Sequence, residues 1–241
     1  MESALKTSPH LSALNPHKNA FLHENSRLKS YERGTFLFMH GDIIKNFYVV
    51  RRGTVQVFRE TPDGHEVTSD LLIAGDFLNA DDVVTKNTNH TKNARAVDDI
   101  SLLEIPLVWM RDNLYRFDDM TSHLMASLSN RLHNSQIEAE HQSTMSATHI
   151  AACYLWRLCV LYDFDPAGFE LPYSKTLIAS RLRIELETFS RTLKNLRGEG
   201  IEVNGTHVSF TDSQKTGHFV CDHCSLSEDC NAHLSLRKKV V

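Results

Sequence analysis

The chain has 241 residues, 41% of them hydrophobic, which is enough for the apolar cores of two modest domains. Its 26 basic and 30 acidic side chains give a formal net charge of −4, so a surface that binds nucleic acid must be a local basic region. There is neither an apolar run of about 18 residues nor a basic-then-apolar signal pattern, so we expect a cytoplasmic protein without a transmembrane helix.

The first part of the chain has the pattern of an antiparallel β domain. Residues 19–31 are predicted to form a short helix. From Gly34 onward, glycines recur between short apolar runs spaced by about 8–12 residues, which is typical of a β-roll or jelly roll. The last predicted strand ends at Pro106, and we place this domain at residues 19–114.

A long helix is predicted next. Apolar residues recur there every four positions, at Met120, Leu124, Leu128 and Leu132. The stripe is narrow and the rest of the helix is polar, which favours pairing with an identical helix. We therefore assign residues 115–142 as a dimerisation helix; the alternative is a surface helix that packs on the β domain.

Two cysteines fall in a further predicted helix at residues 148–162. Cys153 and Cys159 are six residues apart, so they lie on different faces of that helix. A cysteine in such a setting is more often a small core residue than a ligand, and we interpret both in that way.

Residues 174–197 are predicted to form two short helices joined by a tight turn. Apolar residues in each part fall on one stripe, which is typical of a helix with one buried face. The two stripes are Leu177, Ile178 and Leu182, then Leu186, Phe189, Leu193 and Leu196. The outer face of the second helix is polar, so the pair indicates a helix-turn-helix, with an ordinary amphipathic hairpin as the alternative.

A β-hairpin is predicted immediately after these helices. Alternating apolar residues flank Asn204-Gly205, two residue types that tolerate positive φ. A helix-turn-helix followed by a small hairpin is a winged helix, which we place at residues 146–212. Residues 175–197 carry six basic and two acidic side chains, the local basic region expected of a DNA-binding face.

The sequence Glu187-Thr188-Phe189-Ser190-Arg191 resembles the E-T-x-S-R recognition-helix motif of the Crp–Fnr family of bacterial transcription regulators, on its Fnr side. The resemblance covers nearly the whole chain. It implies an α+β protein with an N-terminal β-roll (jelly-roll) sensor domain, a long dimerisation helix and a C-terminal winged helix-turn-helix. It also implies a homodimer whose partners are double-stranded DNA and RNA polymerase.

Three residues of the motif are assigned to base recognition by the resemblance. In the family, its Glu, Ser and Arg bind a TTGAT-type half-site, which here implies Glu187, Ser190 and Arg191. The chemistry agrees, because arginine binds guanine O6 and N7 with two hydrogen bonds and glutamate accepts one from a cytosine amine. Three more polar or basic side chains complete the expected DNA-binding set, namely Thr188, Lys194 and Arg181.

Two residues near the motif depart from the family pattern. Arg183 stands at the turn position that is usually glycine, where a positive φ would cost about 1–2 kcal/mol. Glu185 replaces the usual Thr or Ser before the recognition helix and is a poor N-cap. Both predict weaker DNA binding or a turn of altered shape.

The residues that bind a cyclic nucleotide in the family are replaced. Gly75-Asp76-Phe77 resembles the start of the family's cyclic-nucleotide cassette. Counted from there, the ribose-binding Gly-Glu pair falls on Asn79 and Ala80, and the phosphate-binding Arg-Ser pair falls on His90 and Thr91. A buried phosphodiester needs a fixed cation and oriented donors, so we expect no cofactor-binding residue here and no binding of cyclic AMP.

A cysteine-rich tail at residues 218–233 follows the predicted wing. Cys221, Cys224 and Cys230 have C-x2-C-x5-C spacing in a polar segment, which indicates thiolate ligands for zinc or an iron–sulfur cluster. The Fnr branch of the family carries this spacing at its N-terminus and holds an oxygen-labile [4Fe–4S] cluster, and some relatives place these cysteines at the C-terminus. The resemblance therefore implies a cluster that responds to oxygen, nitric oxide or redox state; zinc is the main alternative, and a redox-reactive or disordered tail is another.

The fourth ligand of such a centre is left open by the sequence. Leu103 occupies the usual position of the fourth cysteine. The candidates are Asp118, Asp119, His218, His223, His233, Cys153 and Cys159.

The histidines of the chain allow two further classes of function. A cupin-like metalloenzyme would use His40, His65 or His90, but no paired His-x-His with a nearby glutamate is present. A regulator that binds haem through one of these histidines is the other alternative. The sequence contains no P-loop, dinucleotide fingerprint or nucleophile–base motif, so we expect no catalytic residue.

Overall fold

The computed structural model describes residues 22, 24–85, 87–161, 165, 167–221, 224 and 230. The chain forms two compact units, Met1–Asn134 and Ser135–Val241. Within the described residues, no helix is long and apolar enough to cross a membrane.

The first unit contains two four-stranded antiparallel sheets. Their orders are β1-β8-β3-β6 and β2-β7-β4-β5, so strands distant in sequence lie side by side in both. The strands are β1 (Arg27–Tyr31), β2 (Phe36–Phe38), β3 (Asn46–Arg52), β4 (Val55–Glu60), β5 (Glu66–Leu72), β6 (Phe77–Leu78), β7 (Asn93–Ala96) and β8 (Ile100–Pro106). The fold is the predicted α+β architecture that begins with a β domain.

Strand β3 is buried on both faces. Successive side chains of a strand point to opposite faces. Tyr48 and Val50 belong to the core cluster that both sheets line, whereas Phe47 and Val49 belong to a second cluster that helices complete. A continuous apolar run therefore suits this strand better than an alternating pattern.

Three helices complete the second cluster. They are α1 (Ala80–Val84), α2 (Leu107–Asn113) and the N-terminal part of α3 (Asp118–Thr144). Met110 and Phe117 are fully buried there. The long helix of the sequence analysis is thus present, and it begins in this core.

The apolar stripe of α3 has two different environments. Met120 and Leu124 are 1% exposed and belong to the core of the first unit, so the stripe as a whole is not the surface that we predicted for pairing with a second helix. Leu132 is 63% exposed, and so is Met125 at 61%. Spacing alone showed an apolar face, but it could not show that part of this face is already covered.

The prediction of a helix at residues 19–31 is wrong for residues 27–31, which form a strand. Residues from Arg27 to Tyr31 form β1, which pairs with β8 from Glu104 to Ile100. A sheet edge that offers unpaired backbone groups outweighs the local preference of so short a segment.

The second unit is a small helical domain with a three-stranded sheet in the order β10-β11-β9. Its helices are α4 (Ala147–Leu161), α5 (Lys175–Leu182), α6 (Leu186–Asn195) and α7 (Ser213–Cys221), and its strands are β9 (Phe169–Glu170), β10 (Ile201–Asn204) and β11 (His207–Phe210). Both α6 and α7 pack against α4. No helix was predicted at the position of α7, which carries Cys221 as its last residue.

Candidate nucleic-acid interface and cysteine cluster

Helix α6 has one buried and one exposed face. Phe189 is fully buried and Leu193 is 5% exposed, so the apolar side faces the core of the second unit. Glu187, Arg191 and Lys194 are exposed on the other side. The helix therefore presents its acid and its two bases to solvent, where they can reach base edges and phosphates.

Two smaller polar residues of the predicted set lie at the border of this face. Thr188 and Ser190 are half-buried. The Arg191 guanidinium donates to Thr188 Oγ1 over 3.3 Å, a weak contact that orients the arginine along the helix without burying it. The exposed guanidinium keeps donors available for a bidentate contact.

Two residues lie in a different environment from the one that the sequence predicts. One was expected to contact DNA, and the other was expected to be buried. Arg181 donates to Glu138 Oε2 over 2.9 Å and pairs with both oxygens of this carboxylate, and both side chains are largely buried. This pairing holds α5 against the C-terminal part of α3, so the expected DNA contact of Arg181 has no support in the structure. Leu186 is 42% exposed and lies outside the buried stripe, because it stands at the first turn of α6.

The turn between α5 and α6 contains both departures from the family pattern. Arg183 has φ 56° and ψ 38°, a left-handed conformation that costs a residue with a Cβ about 1–2 kcal/mol. Glu185 precedes α6 and makes no side-chain capping hydrogen bond. By contrast, Ser174 caps α5 by accepting from the Leu177 amide over 3.2 Å.

The wing is the hairpin of β10 and β11. Asn204 pairs with His207, so the two loop residues are Gly205 and Thr206. Gly205 has φ 62°, and glycine at the first loop position is typical of a type II′ turn. Asn204 is therefore the last residue of its strand. The Asn-Gly pattern had predicted that it would lie in the loop.

The four positions that the resemblance assigns to nucleotide binding carry no lysine or arginine. Asn79 is buried and donates to the Asn46 carbonyl over 2.9 Å, and Ala80 is fully buried. The His90 ring stacks on Phe38 with centroids 3.5 Å apart. Burial lowers the pKa of His90 to about 4, so this imidazole is neutral at pH 7 and cannot balance a phosphate charge.

Thr91, the last of these positions, is exposed. Its carbonyl accepts from Arg59 Nε over 3.1 Å, and this contact holds the backbone of the loop.

The cysteine tail is described at two of its three cysteines. Cys224 and Cys230 are both half-buried, and Cys224 Sγ lies 3.5 Å from His141 Nε2 near the end of α3. The Cys221 side chain, His223 and His233 lie outside the described residues. In the described part of the chain, no three Cys, His, Asp or Glu side chains have the arrangement of a metal site.

The other candidates for a fourth ligand differ in burial. Asp118 and His218 are exposed, and the Asp119 side chain lies outside the described residues. Cys159 is 1% exposed, as expected for a core residue, whereas Cys153 is only half-buried. Thiolates are soft donors that suit zinc or iron–sulfur clusters, so the described thiols fit the expected group chemically.

Two protein-family models match most of the two units. Residues 28–113 match the cyclic nucleotide-binding domain. Residues 151–215 match the Crp-like helix-turn-helix domain.

Similar proteins were found among characterised regulators. The anaerobic regulatory protein of Pasteurella multocida is 26% identical over 190 residues, which cover 77% of this chain and 69% of that protein. The fumarate and nitrate reduction regulatory protein of Escherichia coli K12 is 25% identical over 200 residues, which cover 80% of this chain and 79% of that protein.

Two solved structures share the fold. FixK2 from Bradyrhizobium japonicum has a TM-score of 0.68 at 18% identity, covering 80% of this chain and 96% of that one. A CooA mutant from Carboxydothermus hydrogenoformans has a TM-score of 0.73 at 19% identity, with coverages of 91% and 97%. At such identities the likeness shows the architecture alone.

We predict that Arg183→Gly stabilises the protein. Glycine removes the strain of the left-handed conformation, and its greater freedom in the unfolded chain offsets part of the gain, which leaves about 1 kcal/mol. Chemical denaturation measures the effect. The matched control is Lys194→Gly inside α6, which should lose about 1 kcal/mol. A less stable Arg183→Gly protein would show that the turn is not strained.

Proposed function

Because the chain belongs to the Crp–Fnr family of DNA-binding transcription regulators, we propose that it acts as a homodimer on a TTGAT…ATCAA-like palindrome. Its partners are then double-stranded DNA and RNA polymerase in the cytoplasm. Family members are transcription regulators and not enzymes, so a cupin-like metalloenzyme is set aside.

The observation that carries this proposal is the exposed polar face of α6. Glu187 and Arg191 are exposed and lie four residues apart, so they share one face of the helix. A recognition helix reads bases with side chains near its N-terminus, and Glu187 lies in its first turn. We therefore assign contacts with the bases to Glu187, Ser190 and Arg191. We assign contacts with the phosphates, at the border of this face, to Thr188 and Lys194.

The dimer is supported by exposed apolar residues on α3. Met125 and Leu132 are both exposed and seven residues apart, which is the heptad spacing of paired helices. Two recognition helices related by a two-fold axis lie about 34–36 Å apart, one turn of B-DNA, so the target is a palindrome.

The proposed signal is oxygen, nitric oxide or redox state, sensed through the cysteine tail. Two observations support this: the C-x2-C-x5-C spacing, and the names of two relatives, an anaerobic regulatory protein and a fumarate and nitrate reduction regulatory protein. An iron–sulfur cluster, suspected to be [4Fe–4S], supplies oxygen-labile chemistry when bound. Cysteine side chains that ligate such a group would hold the tail in place. Loss of these ligand bonds then shifts the equilibrium between the DNA-binding and non-binding states of the protein. Structural zinc or a haem effector are the alternatives.

Substituting Arg191 tests base recognition. Arg191→Ala should weaken binding to the palindrome by about 1–3 kcal/mol and relax the preference at one G·C pair, because it removes a bidentate contact to guanine. Gel shifts with the palindrome and with single-base variants measure both effects.

Lys194→Ala is the matched control. It should weaken binding to all sequences alike and lower the slope of affinity against salt by about one, since it removes a phosphate contact. Unchanged sequence preference in Arg191→Ala would remove Arg191 from the base-reading set.

Cyclic AMP should not bind the first unit. Ala80 cannot accept from a ribose hydroxyl and the neutral His90 cannot balance the phosphate, so isothermal titration should give no binding heat. A dissociation constant in the micromolar range would contradict this.

Metal and sulfide analysis tests the proposed cofactor. Protein purified without air should contain iron and sulfide and absorb at about 400 nm, and exposure to air should bleach it. Stoichiometric zinc in a colourless protein would favour the zinc alternative. Bound porphyrin with a Soret band at about 410 nm would favour haem.

A further inference from the structure

The turn between α5 and α6 has a backbone conformation that normally requires glycine, yet Arg183 occupies it. The Arg183 amide donates to the Ser180 carbonyl over 3.2 Å. The next amide, of Ile184, donates to the Ala179 carbonyl over 3.0 Å. These two hydrogen bonds enclose a left-handed residue and form a Schellman motif, in which that residue is usually glycine. The backbone at Arg183 is therefore fixed, and its side chain starts from a defined point at the end of α5.

The Arg183 side chain is exposed and carries a charge that the chain itself does not balance. Two other arginines of the basic region form ion pairs: Arg181 with Glu138, and Arg197 with Glu202 over 3.3 Å. Arg183 takes part in none of the ion pairs found among the described residues. Its guanidinium is therefore available to an anion from outside the chain.

Arg183 lies next to the end of α6 that is proposed to enter the major groove. Only Ile184 and Glu185 separate it from the first residue of that helix. In a helix-turn-helix, the second helix reads bases near its N-terminus, while the first helix crosses the phosphate backbone. The turn joins these two parts, so a long cationic side chain on it lies beside the phosphates at the edge of the groove.

The same end of α6 is otherwise acidic. Glu185 and Glu187 are both exposed, and each carboxylate repels a phosphate group. Lys175 cannot compensate for them, because it stands at the opposite end of α5. Arg183 is therefore the base that supplies positive charge where the turn meets α6.

We infer that Arg183 binds a DNA phosphate at the edge of the major groove, so that the strained turn residue contributes to DNA affinity. The inference rests on the proposed DNA-binding function and adds one contact to those assigned to α6. It reverses the expectation, drawn from the sequence, that this departure from the family pattern weakens DNA binding. Glycine would relieve the strain but lose the charge, so stability and affinity should change in opposite directions.

A phosphate contact has a signature that a base contact lacks. It carries no sequence information, and it releases one condensed counterion, which adds about one to the slope of log affinity against log salt. Loss of Arg191 should instead relax the preference at one base pair. A change in the shape of the turn alone leaves the number of neutralised phosphates unchanged. The salt slope therefore identifies the contact.

Three substitutions separate the charge of Arg183 from its strain. Arg183→Lys keeps both, Arg183→Gln removes the charge and keeps the strain, and Arg183→Gly removes both. The matched control is Arg197→Gln, which loses the same charge beyond the C-terminal end of α6, where Arg197 is already paired with Glu202.

The full-length proteins, prepared without air, are titrated with the palindromic duplex and with a scrambled duplex of equal length over a range of salt concentrations. Chemical denaturation measures the stability of each protein.

In Arg183→Gln and Arg183→Gly, binding to both duplexes should weaken by about three- to tenfold at about 0.1 M salt, and the salt slope should fall by about one. Arg183→Lys should keep the slope, because an ammonium group also neutralises a phosphate. Arg197→Gln should keep it as well. Arg183→Gly should be more stable than the unsubstituted protein, whereas Arg183→Gln should not.

Four results would overturn the phosphate contact. Unchanged affinity and slope in Arg183→Gln, beside an unsubstituted protein that selects the palindrome, would refute it and leave the DNA-binding proposal intact. If only Arg183→Gly binds DNA more weakly, the shape of the turn and not the charge is responsible. An equal fall of the slope in Arg197→Gln would show a general effect of charge. If the unsubstituted protein shifts neither duplex, the proposed function fails and the contact fails with it.

Discussion

The packing of helix α4 is the interaction on which the rest of the second unit depends. Trp156 is 2% exposed and meets Phe210 edge-on, with ring centroids 4.7 Å apart, a geometry worth about 0.5–1.5 kcal/mol beyond the buried area. This contact joins α4 to the wing. Because α6 and α7 also pack on α4, one helix supports both the proposed DNA-binding face and the helix that ends at Cys221.

This shared support gives the proposed sensing role a physical basis. A change in how α7 and the tail pack acts on the same helix that holds the apolar face of α6. Packed interiors are dense and transmit small displacements, so a change in the packing of α7 on α4 need not travel far to reach α6. The Arg181–Glu138 pair adds a second constraint, since it holds α5 while Arg191 of α6 is exposed to solvent.

The first unit keeps the architecture of a cyclic nucleotide-binding domain while its key side chains differ. Its two core clusters share β3, which is buried on both faces. The positions that the resemblance assigns to the ligand carry a buried amide, a buried methyl group and a neutral imidazole stacked on Phe38. The fold therefore does not determine the ligand, because the core that stabilises the fold and the groups that bind a ligand are different residues.

Much of the architecture and the exposed polar face of α6 could be predicted from sequence, because helix periodicity and turn residues are local properties. The left-handed conformation of Arg183 was expected, because this residue stands where the family usually has glycine. Only the tertiary structure decided what covers each apolar face and which distant groups meet. Met120 and Leu124 are buried in the first unit, and Arg181 pairs with a carboxylate 43 residues away. Periodicity shows that a face is apolar, but the partner of that face is set by long-range packing that no local pattern records.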